Sequence, residues 1–365
     1  MKIGVVKESV AGEKRVAMTP DVAKKLIGKG FSLLLEQGAG EAAHYHDDDY
    51  RAAGVELVDR KAALDADIVM MVRKADLDDV AAMHDGAVYI GHLELCEVEE
   101  VIPAMLAKGI RPIAMEKIPR ISRAQSMDAL SSQSNIAGYR AVIEAAAQYK
   151  RFIPMMMTSA GSSKPARIVI LGVGVAGLQA IATARRLGGD VYAYDLRPET
   201  KEQIESLGAK AIELDIGESG SGEGGYAKEL SNEAKARQQQ MLADELARAH
   251  IIITTALIPC RPAPVLIQED VVKRMREGSV IIDLAAANGG NCALTEKHQV
   301  IEKHGVILVG HTNYPSMMAS DASAFYANNL FNLLSIMVDK DEEDLVLKDL
   351  DEDEITKASL ITSTD

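Results

Sequence analysis

Hydrophobic and polar positions along this chain follow two alternating periods. Short apolar runs rich in Val, Ile, Leu and Met recur between longer stretches with helical spacing. Runs of this kind, bounded by turn residues, predict buried strands. In the N-terminal part they fall at residues 2–6, 32–36, 67–72, 87–90 and 111–115. Thr19-Pro20-Asp21 opens a helix that Gly30 ends, with proline where a missing N–H is harmless. Further runs fall at 167–171, 191–194, 210–214, 251–256, 278–283 and 306–309. Helices are predicted at 136–148, 234–250 and 319–338, and a terminal strand at 355–362. Strands that alternate with helices build parallel sheets covered on both faces. The fold class is therefore α/β, with two Rossmann-like doubly wound parallel-sheet domains and a cleft between them. The first is expected to comprise residues 1–130 plus 312–365, completed by the long C-terminal helix. The second comprises residues 131–311.

The two halves differ at one place. Residues 167–195 read RIVILGVGVAGLQAIATARRLGGDVYAYD. A strand leads into Gly172, Gly174 and Gly177 at G-x-G-x-x-G spacing; a helix follows, and a second strand ends at Asp195. Gly172 permits the tight turn, Gly174 admits a pyrophosphate close to the backbone, and Gly177 lets helix and strand pack closely. The helix N-terminus presents free N–H groups and a positive dipole end to phosphates. Val173, Val175 and Ala176 complete the phosphate-facing loop. Asp195, with Leu196 beside it, can accept hydrogen bonds from a ribose diol, which favours NAD(H) over NADP(H). Arg197 could accommodate a 2′-phosphate and works against that preference. Ala256 and Leu257 follow the next strand, and Asn288 and Gly289 lie in the turn AAANGGN after another. That glycine-bearing turn falls near a nicotinamide or its ribose, and Ala256 and Leu257 are further cofactor-binding candidates.

Two segments break the alternation. Residues 119–135, PRISRAQSMDALSSQSN, are polar and follow a strand terminus, where ligands of open α/β sheets sit. Arg120, Gln125, Asp128 and Ser131 are the candidates there. A solvated loop that ends in a Ser134 or Asn135 N-cap is the other reading. Residues 217–226, GESGSGEGGY, hold too much glycine to pack a core. They form either a surface insertion or a mobile lid whose Tyr226 covers an apolar ring.

Composition narrows the function classes. The 365 residues carry a net charge of −14 and no basic stripe, which argues against nucleic acid. Residues 339–354 alone hold ten acids and two lysines. No apolar run reaches membrane-spanning length, so no direct membrane insertion is expected. The cysteines lack C-x-x-C spacing, and no P-loop, H-E-x-x-H, G-x-S-x-G or EF-hand pattern occurs. His44, His46 and Asp47 to Asp49 could bind a metal, but the segment reads as a loop entering a helix, where acids favour the N-terminus, and no metal is expected. Arg15 and Lys74 stand near strand ends, as anchors for a carboxylate, as proton donors or as surface charges, and His92 follows a strand as a general acid or base or as a satisfied half-buried histidine.

KES…EKRVAMTP, PRISRAQSMDALSSQSNIAGYRAV, GVGVAGLQAIATARRLG, GGYAKE, TTALIPCRPAPVLI, SVIIDLAAANGGNC and GHTNYPS together cover most of the chain. In these stretches it resembles the NAD(H)-binding component, domain I, of the proton-translocating NAD(P) transhydrogenase family. The resemblance implies that Arg120, Gln125, Asp128 and Ser131 orient the nicotinamide, and that Tyr226 belongs to a loop closing on it. It implies direct hydride transfer from NADH to NADP⁺ held on a partner β subunit, coupled to proton translocation. It further implies a homodimer, a membrane-spanning α2 subunit as second partner, and attachment to the cytoplasmic face of the inner membrane through those partners. The alternative is an alanine dehydrogenase-like NAD-dependent oxidoreductase, in which Arg15, Lys74 and His92 would face the substrate. Those enzymes carry a carboxylate four residues after the aspartate of the S-V-I-x-D turn, and here that position is Ala287.

Overall fold

The computed structural model describes residues 1–96, 100–214, 232–258, 260–341 and 344–363. The chain divides into two compact units. One comprises residues 1–134 and 315–365, the other residues 135–314.

The first unit is a sheet of six parallel strands. They are β1 (Lys2–Val5), β2 (Ser32–Glu36), β3 (Glu56–Val58), β4 (Ile68–Met70), β5 (Val88–Gly91) and β6 (Arg111–Ala114), in spatial order β3-β2-β1-β4-β5-β6. Chain order reverses beside β1, as it does in doubly wound sheets. Successive residues feed different cores. Ile3, Val5, Ile68 and Met70 join one cluster, while Val69, Met71 and Tyr89 join the other. That is why these strands read as continuous apolar runs. The helix Ala319–Met337 returns from the far end of the sequence to close the first cluster through Tyr326, Leu330 and Leu333.

In the second unit a hairpin of β7 (Met156–Thr158) and β8 (Gly161–Ser163) precedes the main sheet. That sheet contains β9 (Arg167–Leu171), β10 (Asp190–Tyr194), β11 (Lys210–Ala211), β12 (Ile251–Thr254), β13 (Val280–Asp283), β14 (Val300–Lys303) and β15 (Val306–Val309). Its order is β11-β10-β9-β12-β13-β15-β14, parallel except for β14 against β15. Both sheets bear out the α/β, Rossmann-like fold class.

Several local expectations are corrected. The helix expected to start at 136 runs from Ala129 to Gln148. It is capped not by Ser134 or Asn135 but by Asp128, whose carboxylate accepts from the Ser131 N–H at 2.9 Å and the Ser131 hydroxyl at 2.5 Å. The expected terminal strand is the helix Glu354–Ser359, with Asp353 accepting from the Ile355 N–H; only Leu360 makes a strand-like bridge, to Ile113. Within the acidic stretch β16 (Val338–Asp341) pairs antiparallel with β17 (Asp344–Leu347), and Lys348, just after β17, pairs with Asp339. Strands β3, β7, β8 and β14 were not expected. They are short or exposed, so their sequences lack a core-facing pattern.

Gly138 fixes how the helix Ala129–Gln148 meets the helix Val175–Arg186. A Cβ at Gly138 would lie 2.1 Å from the Ala176 carbonyl oxygen. Gly138→Ala is therefore expected to cost about 1–3 kcal/mol and lower Tm by several degrees. Gly28, at the end of the helix Pro20–Gly28, meets nothing within 4 Å, so Gly28→Ala should leave Tm unchanged or slightly raised. Thermal unfolding of the two variants checks the contrast; equal melting temperatures would contradict it.

Candidate functional site

The glycine turn sits where β9 hands over to the helix Val175–Arg186. Gly172 adopts φ +89°, which a side chain would strain. Its carbonyl oxygen would lie 1.9 Å from a Cβ at Gly177, so the helix seats on the strand end only because residue 177 is glycine. The Thr255 hydroxyl, at the end of β12, donates to the same carbonyl at 3.0 Å. Gly174 is the N-cap, brings no side chain to the first-turn N–H groups, and has open space where a Cβ would stand. The helix therefore presents bare N–H donors and its positive dipole end to an open surface.

Asp195 lies one strand over, past the end of β10. Its carboxylate accepts from the Val173 N–H at 2.7 Å and from the Arg197 N–H at 2.9 Å. The Arg197 guanidinium adds two more bonds at 3.0 Å. Burial opposes ionisation of Asp195, but the Arg197 side chain and the two N–H donors outweigh it and hold the carboxyl below its ordinary value. Asp195 is thus an anion tied to the glycine loop. Arg197 is engaged by it, so a 2′-phosphate would compete with a carboxylate already in place.

Val175, Leu196 and Leu257 are exposed although large and apolar. They follow the ends of three adjacent strands, β9, β10 and β12. Exposed apolar side chains beside unsatisfied N–H donors are what a ligand with both rings and phosphates would cover. Ala256, by contrast, offers no free backbone groups. Its N–H and carbonyl are both taken by the Asn291 amide, at 3.1 and 2.9 Å. Asn288 and Gly289 form the turn after β13, with Gly289 at φ +98°.

That turn is held from beneath by Asp283 and Asn291, which lie in the S-V-I-x-D and AAANGGN segments but carry no site role in the sequence reading. Asp283 is fully buried and accepts from the Ala285, Asn291 and Cys292 N–H groups and from the Thr254 and Thr295 hydroxyls. Asn291, also fully buried, donates to the Ala256 and Pro264 carbonyls. Together they lock the loops after β12 and β13 to each other. The recurrence of polar residues immediately after apolar runs was the available signal.

The other candidates lie on the first unit. Arg120 and Gln125 are exposed, and Gln125 belongs to a 3₁₀ turn, Ser122–Met127. This segment is not a solvated loop. Ala124 and Met127 enter the core, and Asn329 and Asn332 donate to the Ser126 carbonyl at 2.9 and 3.1 Å. Arg123 forks onto Asp353 at 2.7 and 2.8 Å. Asp128 and Ser131 bond each other, as described for the helix cap. Tyr226 lies outside the described residues, as does the rest of 217–226.

Arg15, Lys74 and His92 each face a carboxylate within the first unit. Arg15 is buried; its Nε and Nη2 donate to Glu13 at 2.8 and 2.7 Å, and its Nη1 donates to Gln133 at 2.9 Å. Burial disfavours the Glu13 carboxylate, but Arg15 overrides it and holds the group down at about 2. Lys74 and Arg73 both reach Glu94, and His92 lies 3.6 Å from Glu116. Nearby, burial pushes the Glu8 carboxyl up to about 7 although it accepts from the Val72 and Arg73 N–H groups. The His44–Asp49 stretch is used structurally. His46 pairs with Glu41 at 2.8 Å, Asp47 accepts from the Gly38 N–H, and Asp49 accepts from the His46 N–H. Among the described residues, no group of three or more His, Cys, Asp or Glu could hold a metal ion. Nor is any helix there long and apolar enough to cross a membrane.

A parallel sheet with a glycine turn, an uncapped helix N-terminus and an acid at the end of the neighbouring strand defines a Rossmann-type unit. The chain belongs to the alanine dehydrogenase/PNT family. The family's N-terminal domain model matches residues 4–137 and its C-terminal domain model matches residues 141–364. The chain is 50% identical to the first part of NAD(P) transhydrogenase subunit alpha of Rhodospirillum rubrum, over 99% of this chain and 96% of that protein. It is 30% identical to alanine dehydrogenase of Bacillus subtilis, over 90% of this chain and 83% of that one. A crystal structure of transhydrogenase from Sinorhizobium meliloti superposes with a TM-score of 0.90 at 43% identity, covering 99% of this chain and 98% of that one.

Replacing Asp195 tests the electrostatic reading of the site. Asp195→Asn removes the charge and releases Arg197. NADH affinity should fall roughly ten- to a hundredfold while NADPH affinity rises. The chain has no tryptophan, so NADH emission reports binding cleanly. Unchanged preference between the two dinucleotides would contradict this role for Asp195.

Proposed function

We propose that this chain is the NAD(H)-binding component of a proton-translocating NAD(P) transhydrogenase. It passes a hydride directly between NADH and NADP⁺, and the NADP(H) is held on a partner β subunit. The observation that carries this reading is the open, uncapped helix N-terminus after Gly174 with the Asp195 carboxylate beside it. The likeness to transhydrogenase α subunits over nearly the whole chain supports the choice of reaction. In this reading Gly172, Val173, Gly174, Val175, Ala176 and Gly177 bind the pyrophosphate. Asp195, Leu196 and Arg197 bind the adenosine half, and Ala256, Leu257, Asn288 and Gly289 bind the nicotinamide half. Arg120, Gln125, Asp128, Ser131 and Tyr226 position the ring and meet the partner. The component works as a homodimer. It is held at the cytoplasmic face of the inner membrane by the β subunit and a membrane-spanning α2 subunit.

The chemistry makes few demands on side chains. Hydride transfer between two nicotinamides moves no proton at nitrogen or oxygen, so it needs no general acid or base at the reacting carbons. It needs two rings in contact in a site from which water is excluded. Amino-acid oxidation, in contrast, requires proton transfer to and from the substrate. The position that carries a carboxylate in alanine dehydrogenases is Ala287 here.

Reconstitution separates the readings. Mixed with a transhydrogenase β subunit, the chain should support reduction of an NADP⁺ analogue by NADH, and alone it should show no alanine-dependent NAD⁺ reduction. Alanine oxidation by the isolated chain would establish the dehydrogenase reading. Tight NADH binding without transfer in the mixture would reduce the chain to a binding subunit.

A further inference from the structure

The end of the second sheet opposite the glycine turn, where its parallel strands begin, carries a different feature. A cavity of about 230 Å³ opens where β9, β12 and β13 begin. Lys164 precedes β9, His250 immediately precedes β12, and Arg276 precedes β13, while Arg151 follows the helix Ala129–Gln148. All four side chains line the cavity, and no carboxylate does. The chain carries 54 acids against 40 Lys and Arg, and most of its partly buried cations are paired. Yet among the described residues Arg151, Lys164 and Arg276 make no ion pair. All three are exposed at the rim, where water screens their mutual repulsion, and with no carboxylate among the lining residues they leave the hollow at a positive potential that favours an anion.

The hydrogen-bonding pattern of His250 points the same way. Its Nδ1 accepts from the Arg167 N–H at 2.8 Å, which places the proton of the neutral ring on Nε2. Nε2 lies 3.3 Å from Nη1 of Arg276, which is also a donor. Two donors therefore face each other, and an oxygen that accepts from both would resolve the conflict. Burial first, then Arg276, Arg151 and Arg167, push the imidazole below its ordinary pKa and keep it neutral. Tyr149, Phe152, Ser163 and Pro165 form the remaining wall. The Tyr149 ring lies 6.0 Å from the His250 ring, and Phe152 at the mouth is 58% exposed.

We propose that this cavity is an oxyanion site for a phosphate-class ligand, with Lys164, Arg151 and Arg276 supplying charge and His250 Nε2–H a directed bond. Free phosphate and the phosphate of a ring-bearing small molecule share that chemistry. Calorimetric titration of the full-length chain with inorganic phosphate and with phenyl phosphate tests it, and NMR of the histidine rings follows His250, assigned with His250→Gln. The expected result is saturable binding of phosphate with an upward move of the His250 titration. Lys164→Ala combined with Arg276→Ala should weaken it roughly tenfold or more, and Arg276→Lys alone should weaken it less. Tighter binding of phenyl phosphate, abolished by Phe152→Ala, would identify a ring-bearing ligand as the source; equal binding would identify free phosphate. Absence of saturable heat and of a His250 response would overturn the proposal. So would undiminished binding in the double variant, when its unchanged Tm shows it folded.

Discussion

The carbonyl oxygen of Gly172 has no room for a neighbour larger than hydrogen. A Cβ at Gly177 would stand 1.9 Å from it, and one at Gly172 itself would stand 2.6 Å from the Thr255 hydroxyl. This close approach seats the helix Val175–Arg186 directly on the end of β9 and aims its bare N–H groups outward. The Thr255 hydroxyl then ties β12 to the same carbonyl, and the Val173 N–H ties the loop to Asp195 past β10. Gly138, where a Cβ would stand 2.1 Å from the Ala176 carbonyl, brings a second helix against the turn. The candidate site thus inherits its geometry from backbone contacts that only glycine permits, and its charge pattern from one acid.

That turn was legible in the sequence because glycine spacing and the flanking strands are local features. The central strands were legible for a related reason: burial on both faces leaves apolar runs with no polar interruption. Strand β3, the hairpin of β7 and β8, and β14 were missed because exposed strands carry no such run. The start of the helix Ala129–Gln148 was missed because Asp128 and Ser131 read as polar loop residues. Their hydrogen bonds to each other, and those of Asn329 with Ser126, involve groups whose pairing the local pattern does not declare. The structural roles of Asp283 and Asn291 are likewise not declared by the local pattern. A buried aspartate accepting from five donors is distinguished from a surface aspartate only by what the fold brings around it.

The two units make different use of charge. In the first, Arg15, Lys74 and His92 all stand against carboxylates, and the network they form is largely internal. In the second, Asp195 keeps its charge at an accessible strand end, where Arg197 and two N–H groups stabilise it. A ribose diol approaching Asp195 would exchange bonds with Arg197 rather than meet a bare carboxylate. Discrimination between dinucleotides would then rest on which partner Arg197 takes.

If the chain holds NADH so that its ring meets a second nicotinamide directly, the transferred hydrogen never passes through water or a side chain. Deuterium placed at the transferable C4 position of NADH decides this most directly, in the chain mixed with a transhydrogenase β subunit and NADP⁺. The predicted result is quantitative recovery of the label at C4 of NADPH in ordinary water. Loss of the label to solvent would contradict direct transfer.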